Sequence, residues 1–249
     1  ALTGLFRSSV RAVTVLDETE SALETVRQRY PGAANIYYRK DSLAGYAAEA
    51  CAEGKKYDYV IFAGTLTAPY EKHIHAAKSL LKPDGILIVA LANALGMKYF
   101  AGTVEEENAL TKRQLTELLC GDRETQSMAD ESGALKFYYP MPDYKTPVSI
   151  YSDAYLPKKG DLTRVTPAYD YPPYHLMEQG EKFDTVCEAG LFDLYANSYL
   201  VFWSADPKQL QKDDERIFIK YNKTRREEFQ IKTCICERNV IGAAGASGA

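Results

Sequence analysis

Three acids, a serine and a glycine turn stand where side chains of their type can do chemistry. Asp17 and Glu18 follow the β-branched run at residues 10–16 (VRAVTVL). Asp41 and Ser42 follow residues 35–39, and Ala63-Gly64-Thr65 ends the apolar run YDYVIFA at residues 57–63. If such runs are parallel strands, ligands bind in the crevice beyond their carboxyl ends, where the strand order reverses. A carboxylate after the first run can accept hydrogen bonds from both ribose hydroxyls of a nucleotide-like cofactor. One after the second can meet an exocyclic amine such as that of adenine. Either acid can also cap the helix that follows, and at Asp17 the two roles are compatible. Gly64 lets a backbone approach a ligand closely, although a plain tight turn also uses glycine.

The periodicity of the chain supplies the frame. Leu23, Val26 and Tyr30 recur at helical spacing and are stopped by Pro31-Gly32. A helix is predicted over residues 45–53 and another over 70–82, with Ile74, Ala77 and Leu81 on one face. Lys82-Pro83-Asp84-Gly85 reads as a turn, because proline cannot continue the helix and glycine takes the open φ. A wholly apolar strand follows at 86–91. Strands and helices alternating at this spacing predict a doubly wound α/β fold around a mostly parallel sheet. Further on, Thr111 is placed to cap a helix over 111–119, residues 135–139 and 199–203 read as strands, and 181–189 as a helix stopped at Gly190. Residues 140–173 form a long excursion rich in Pro, Tyr and Asp. Residues 208–215 are charged and read as a linker, and 216–221 with 229–236 as a β-hairpin. The expected organisation is one domain over 1–205, a linker and hairpin over 206–241 that opens a further domain, and a low-complexity, disordered tail over 242–249.

Composition narrows the function classes. The chain has 249 residues, a formal net charge of −4 and 46% hydrophobic residues, a globular balance unlike that of a nucleic-acid binder working by bulk electrostatics. Its longest apolar run, about residues 86–97, falls short of the roughly 20 residues a membrane span requires, and residues 1–11 lack the pattern of a signal peptide. The five cysteines (Cys51, Cys120, Cys187, Cys234 and Cys236) are odd in number and scattered, which fits free thiols in a reducing cytoplasm. Cys234 and Cys236 form only a C-x-C without further ligands, so no metal site is expected.

These features alone suit a nicotinamide enzyme as well as a methyltransferase. Lys82-Pro83-Asp84-Gly85 followed by ILIVAL resembles the "LKPGG-strand" hallmark of class I S-adenosylmethionine-dependent methyltransferases, and Tyr57-Asp58-Tyr59-Val60 resembles their fourth-strand motif. Residues 91–102 (LANALGMKYFAG) resemble the E-N-x-x-G-x-K-Y-x-x-G segment of a bacterial methyltransferase family found beside glycosyltransferases in surface-polysaccharide loci. Ala92 stands where that family has an acid. Residues 137–145 (FYYPMPDYK), 152–157 (SDAYLP), Phe192-Asp193 and Asn197-Ser198 extend the resemblance, which covers about residues 1–235. It implies S-adenosylmethionine as cofactor and a small-molecule or glycan acceptor. It also implies that Ala1-Leu2-Thr3-Gly4 follow directly on a Gly-rich cofactor loop, whose strand and glycines are missing here. Thr3 and Gly4 thereby join Asp17, Glu18, Asp41, Ser42, Ala63, Gly64 and Thr65 as expected cofactor contacts.

Acceptor chemistry is expected from the Tyr-rich excursion. Its prolines stiffen the chain and hold Asp143 and Tyr144 as the expected catalytic pair, able to orient a hydroxyl and accept its proton. The competing role for those side chains is packing at a sheet edge. His73 and His75 lie on a helix with an apolar opposite face, and solvent exposure is expected for both. The rival functions are a nicotinamide-dependent oxidoreductase on a similar sheet and a non-catalytic scaffold that has lost its cofactor site.

Overall fold

The computed structural model describes residues 2–121, 133–163, 176–211, 214–222 and 226–238. After a short helix α1 (Leu2–Arg7), strands and helices alternate as expected. They are β1 (Val13–Asp17), α2 (Glu20–Arg29), β2 (Ile36–Lys40), α3 (Leu43–Ala52), β3 (Tyr57–Ala63), α4 (Tyr70–Leu80) and β4 (Leu81–Ala92). β1 pairs with β2 and β3 with β4, both parallel. The chain steps outward from β1 to β2, then back past β1 to β3 and on to β4. Right-handed crossovers taken in opposite directions set α2 on one face and α3 and α4 on the other. α3 packs on α4, and α4 on α6 (Lys112–Cys120).

The predicted turn at 82–85 lies inside β4. Tyr57 pairs with Leu81 and Tyr59 with Ile86, so Lys82 to Gly85 bulge out of the ladder opposite the single residue Asp58, with Lys82 Nζ 2.6 Å from its carboxylate. The proline and glycine do interrupt regular structure here, but the chain passes from helix into strand with no separate loop. Leu87, Val89 and Leu91 of β4 are buried, and this strand is the spine of the core.

Beyond β4 the sheet becomes mixed. α5 (Met97–Phe100) and α6 lead to β5 (Ala134–Met141), β6 (Ser149–Ser152), α7 (Gln179–Glu188), α8 (Phe192–Tyr195) and β7 (Ser198–Ser204). β7 inserts between β4 and β5, antiparallel to both. β5 and β6 form an antiparallel pair within the Pro/Tyr-rich excursion, where no strand beyond residue 139 was expected. The predicted hairpin is present as β8 (Asp214–Asn222) and β9 (Ile231–Arg238). β8 pairs with β6 through Ser149↔Lys220 and Ile150↔Ile219, so the hairpin extends the sheet. Part of the expected linker is ordered as a single 3₁₀ turn, Pro207–Leu210. Asp206 caps it by accepting from Lys208 N at 3.0 Å, and Leu210 is buried. The expected disordered tail and the tyrosines between residues 164 and 175 lie outside the described residues.

Thr111 caps α6 as predicted. Its hydroxyl accepts from Gln114 N while the Gln114 side chain accepts from Thr111 N, a reciprocal capping box. Thr111→Ala is therefore expected to lower unfolding free energy by about 1 kcal/mol, read from the urea midpoint at unchanged slope. An unchanged midpoint would show that the cap contributes nothing.

Candidate functional site

A cavity of about 510 Å³ lies between β1 and β3. Asp17, Glu18, Asp41 and Thr65, all expected cofactor contacts, line it, joined by Thr67 and His73. The carboxyl ends of three strands thus converge on one crevice. Asp17 Oδ1 accepts from Thr19 N at 2.8 Å and Thr19 Oγ1 at 2.6 Å. Asp41 Oδ1 accepts from Ser42 N at 2.7 Å. Neither acid is a helix cap, since Thr19 and Ser42 hold those positions, but one oxygen of each carboxylate is used on the backbone just ahead of a helix. No described residue bonds to Oδ2 of either, so both acids keep an acceptor for a ligand.

The other expected contacts do not line this cavity. Ser42 caps α3, its Oγ accepting from Gly45 N at 3.1 Å. Thr3 and Gly4 lie on α1, where a Cβ on Gly4 would come within 2.4 Å of the Tyr30 hydroxyl, so glycine admits α1 onto the end of α2. Ala63 ends β3. Gly64 has φ +72°, and a Cβ there would meet the Tyr144 hydroxyl at 2.5 Å. The glycine turn after β3 is thus the point where the two sets of expected residues meet.

His73 is half-buried on the cavity wall, contrary to the exposure expected of it, whereas His75 is exposed. His73 Nδ1 lies 2.8 Å from the Thr67 carbonyl oxygen. A carbonyl only accepts, so Nδ1 carries the hydrogen and Nε2 of the neutral ring keeps a lone pair. Helical spacing marked the apolar face of α4 correctly. It could not show that the cavity runs along the first turn of that helix.

Next to Gly64 lies a charge network. Lys98 Nζ is 2.7 Å from Asp143 Oδ2 and 2.8 Å from Glu106 Oε1, and Lys145 Nζ is 3.0 Å from Glu106 Oε1. Lys98 and Asp143 are buried, with side chains 4% and 2% exposed. Asp143 Oδ1 also accepts from Lys145 N at 3.1 Å. Asp143 is thus engaged at both carboxylate oxygens, inside the protein and away from the cavity wall. Burial opposes the charge on Lys98, but the charge of Asp143 and the hydrogen bonds to Asp143 and Glu106 outweigh it and hold the ammonium above the ordinary lysine value. Burial likewise opposes the charge on Glu106, and its bonds from Lys98 and Lys145 overcome this and depress the carboxyl. Tyr144 donates to Glu106 Oε2 at 3.4 Å. Burial, then the charges of Glu106 and Asp143, push its phenol up, so at neutral pH it is a donor.

Two asparagines fasten this network to the sheet. Asn93 Nδ2 donates to the carbonyls of Leu194 and Ala196, each at 2.7 Å. Asn197 accepts from Lys98 N at 2.8 Å and donates to the Pro142 carbonyl at 3.0 Å. A second network centres on Lys112, whose Nζ is 2.7 Å from the Tyr139 hydroxyl, 3.2 Å from Asp153 and 3.0 Å from Asp193. Tyr139 donates to Asp153. Segments far apart in sequence, several of them within the stretches that carried the resemblance, meet in these two networks.

No family model matches the chain, and no curated protein does. Among solved structures the chain is similar to an S-adenosylmethionine-dependent methyltransferase of Thermotoga maritima, described as a possible histamine N-methyltransferase. The identity is 12% over 82% of this chain and 78% of that one, with a TM-score of 0.44. It is also similar to such a methyltransferase from Anabaena variabilis (15% identity over 82% and 72%, TM-score 0.42) and to one from Archaeoglobus fulgidus (12% over 76% and 74%, TM-score 0.38).

Removing one partner of a buried ion pair strands the other. Lys98→Met is expected to cost about 3–5 kcal/mol in chemical unfolding, and Lys98→Met with Asp143→Leu to recover much of it. Equal stability of the single variant and the parent would show the pair to be dispensable. The sign for Glu106 is also fixed. Its folded pKa is depressed, so its contribution is present above the ordinary glutamate value and fades as pH falls through the lowered one. Glu106→Gln should flatten that acid limb of a melting-temperature profile.

Proposed function

We propose that this chain binds S-adenosylmethionine in the crevice between β1 and β3 and transfers its methyl group to a small-molecule or glycan hydroxyl. The observation that carries this is the convergence of Asp17, Asp41 and Thr65 from three strand ends on one cavity, each acid with an oxygen to spare. The donor set fits the group: a carboxylate for the ribose hydroxyls, a second for the adenine amine, and a glycine turn that admits close approach. When bound, S-adenosylmethionine supplies an activated methyl group, and transfer is an in-line displacement that depends chiefly on positioning.

On the acceptor side, the Tyr144 hydroxyl at the Gly64 turn gives its hydrogen to Glu106 and offers its oxygen as an acceptor. Asp143 is a positioning residue: Lys98 joins it to Glu106, which accepts from Tyr144. His73 Nε2 has the free lone pair on the cavity wall and takes the proton of the acceptor hydroxyl. Against a nicotinamide enzyme stands the reversed strand β7 between β4 and β5, a departure from the parallel course of dinucleotide-binding sheets. The family resemblance of the segments after β4 and β5 supports a glycan-linked acceptor.

Calorimetric titration tests this. S-adenosylhomocysteine is expected to bind and NADH not to. Asp17→Asn should weaken binding by about 1.5–3 kcal/mol, the worth of a charge-assisted hydrogen bond. Binding of NADH without S-adenosylhomocysteine would overturn the proposal. Tyr144→Phe should leave that affinity unchanged.

A further inference from the structure

The turn after β3 is held by side chains. Gly64 N donates to the Ala90 carbonyl at 2.7 Å, at the end of the ladder to β4. From Thr65 to Ala68 no main-chain group bonds to another main-chain group among the described residues. Yet Thr65 and Thr67 both line the cavity, so the course of this stretch sets one wall of the crevice. Main-chain groups outside regular structure need side chains or water as partners.

Two side chains serve here. His73 meets the Thr67 carbonyl. The other is Asn108, which is not on the cavity wall. Its Nδ2 lies 3.1 Å from the Gly64 carbonyl oxygen and 3.3 Å from that of Leu66. Carbonyls only accept, so the amide must present its nitrogen, and each N–H serves one carbonyl. The amide is planar, and its two hydrogens leave at a fixed angle. The carbonyls on either side of Thr65 are thereby held to one rigid group, while the buried Leu66 side chain anchors the same stretch in the core. Asn108 is fixed in its turn. Ala109 N donates to the Glu106 carbonyl at 3.0 Å and Leu110 N to the Ala92 carbonyl at 3.2 Å. Glu106 is bonded to Lys98, Lys145 and Tyr144. This short turn therefore faces two ways, with a carboxylate in the acceptor-side network and an amide on the cofactor-side turn.

We infer that Asn108 is a positioning residue for the proposed reaction: its side-chain amide sets the course of residues 64–67 along the crevice and ties that turn, through Glu106, to the Lys98–Asp143 network. It acts through Thr65 and Thr67 and lies off the cavity wall itself. The inference rests on the reading of the crevice as the S-adenosylmethionine site. It adds the link by which the cofactor side and the acceptor side keep a constant relation, which an in-line displacement requires.

The test uses two variants of the full chain. Asn108→Asp keeps the shape but turns an oxygen toward both carbonyls. When protonated, that carboxyl regains one O–H donor, and the carbonyls favour its neutral form. In calorimetric titration with S-adenosylhomocysteine its affinity is expected to fall about tenfold below the parent's near pH 8, the worth of the two lost hydrogen bonds. The gap is expected to narrow near pH 5.5, on the order of threefold or more, as the donor returns. Asn108→Leu has no donor at any pH and should show the same loss at both. Backbone nitrogen relaxation on the unliganded chain is the second readout. Order parameters of residues 65–67 are expected near the ~0.85 of rigid backbone in the parent and below ~0.6 in Asn108→Leu. If the parent does not bind S-adenosylhomocysteine, the crevice reading fails, and relaxation alone decides whether Asn108 holds the turn. Parent-like affinity and order parameters in both variants would overturn the inference. So would a loss in Asn108→Asp that is equal at both pH values, which assigns the effect to shape. A mobile turn with unchanged affinity would leave Asn108 a purely structural residue and overturn it too.

Discussion

The Lys98–Asp143 ion pair is the constraint on which the functional half of the structure depends. It joins the segment after β4 to the segment after β5 at 2.7 Å, with both side chains buried. Taking both charges out of water is costly, and further hydrogen bonds to the two groups offset that cost. Glu106 shares the ammonium, Lys145 N occupies the second carboxylate oxygen, and Asn197 ties the Lys98 backbone to the Pro142 carbonyl. One consequence reaches the cavity. With Asp143 fixed, the neighbouring Tyr144 hydroxyl is held over the Gly64 turn, where a side chain larger than hydrogen would collide with it.

This division of labour explains why a carboxylate and a phenol adjacent in sequence do different things. Asp143 spends its charge on the protein interior. Tyr144, raised by burial and by the surrounding carboxylates, keeps its proton and donates it to Glu106. The strand-end acids follow the opposite logic. Asp17 and Asp41 use one oxygen to satisfy local backbone N–H groups and hold the other ready at the cavity rim.

Much of the first half of the fold was legible in the sequence because its signals are local. Residues 10–16 and 57–63 read as buried strands and are strands, although every residue of β1 and β3 is half-buried or exposed; Thr111 marked a helix start, and acids following strands pointed to the crevice. What escaped depended on long-range pairing. The apolar run at β7 announces a strand but not that it runs backwards between β4 and β5. β6 is four residues, Ser149–Ser152, embedded among prolines, too short and too polar to show alternation. Nothing local marks Lys98 as buried, and its partner Asp143 is 45 residues away. His73 was placed on the right helix, but only the gap between β1 and β3 makes its first turn a cavity wall.

The central claim is that the carboxyl ends of β1, β2 and β3 form one nucleoside-binding rim. The most direct measurement is a crystal structure of the chain grown with saturating S-adenosylhomocysteine. The account predicts the ribose hydroxyls within hydrogen-bonding distance of the Asp17 carboxylate and the adenine amine directed to Asp41, with the sulfur end toward Gly64 and Tyr144. A ligand bound elsewhere, or in the crevice with its ribose away from Asp17, would contradict it.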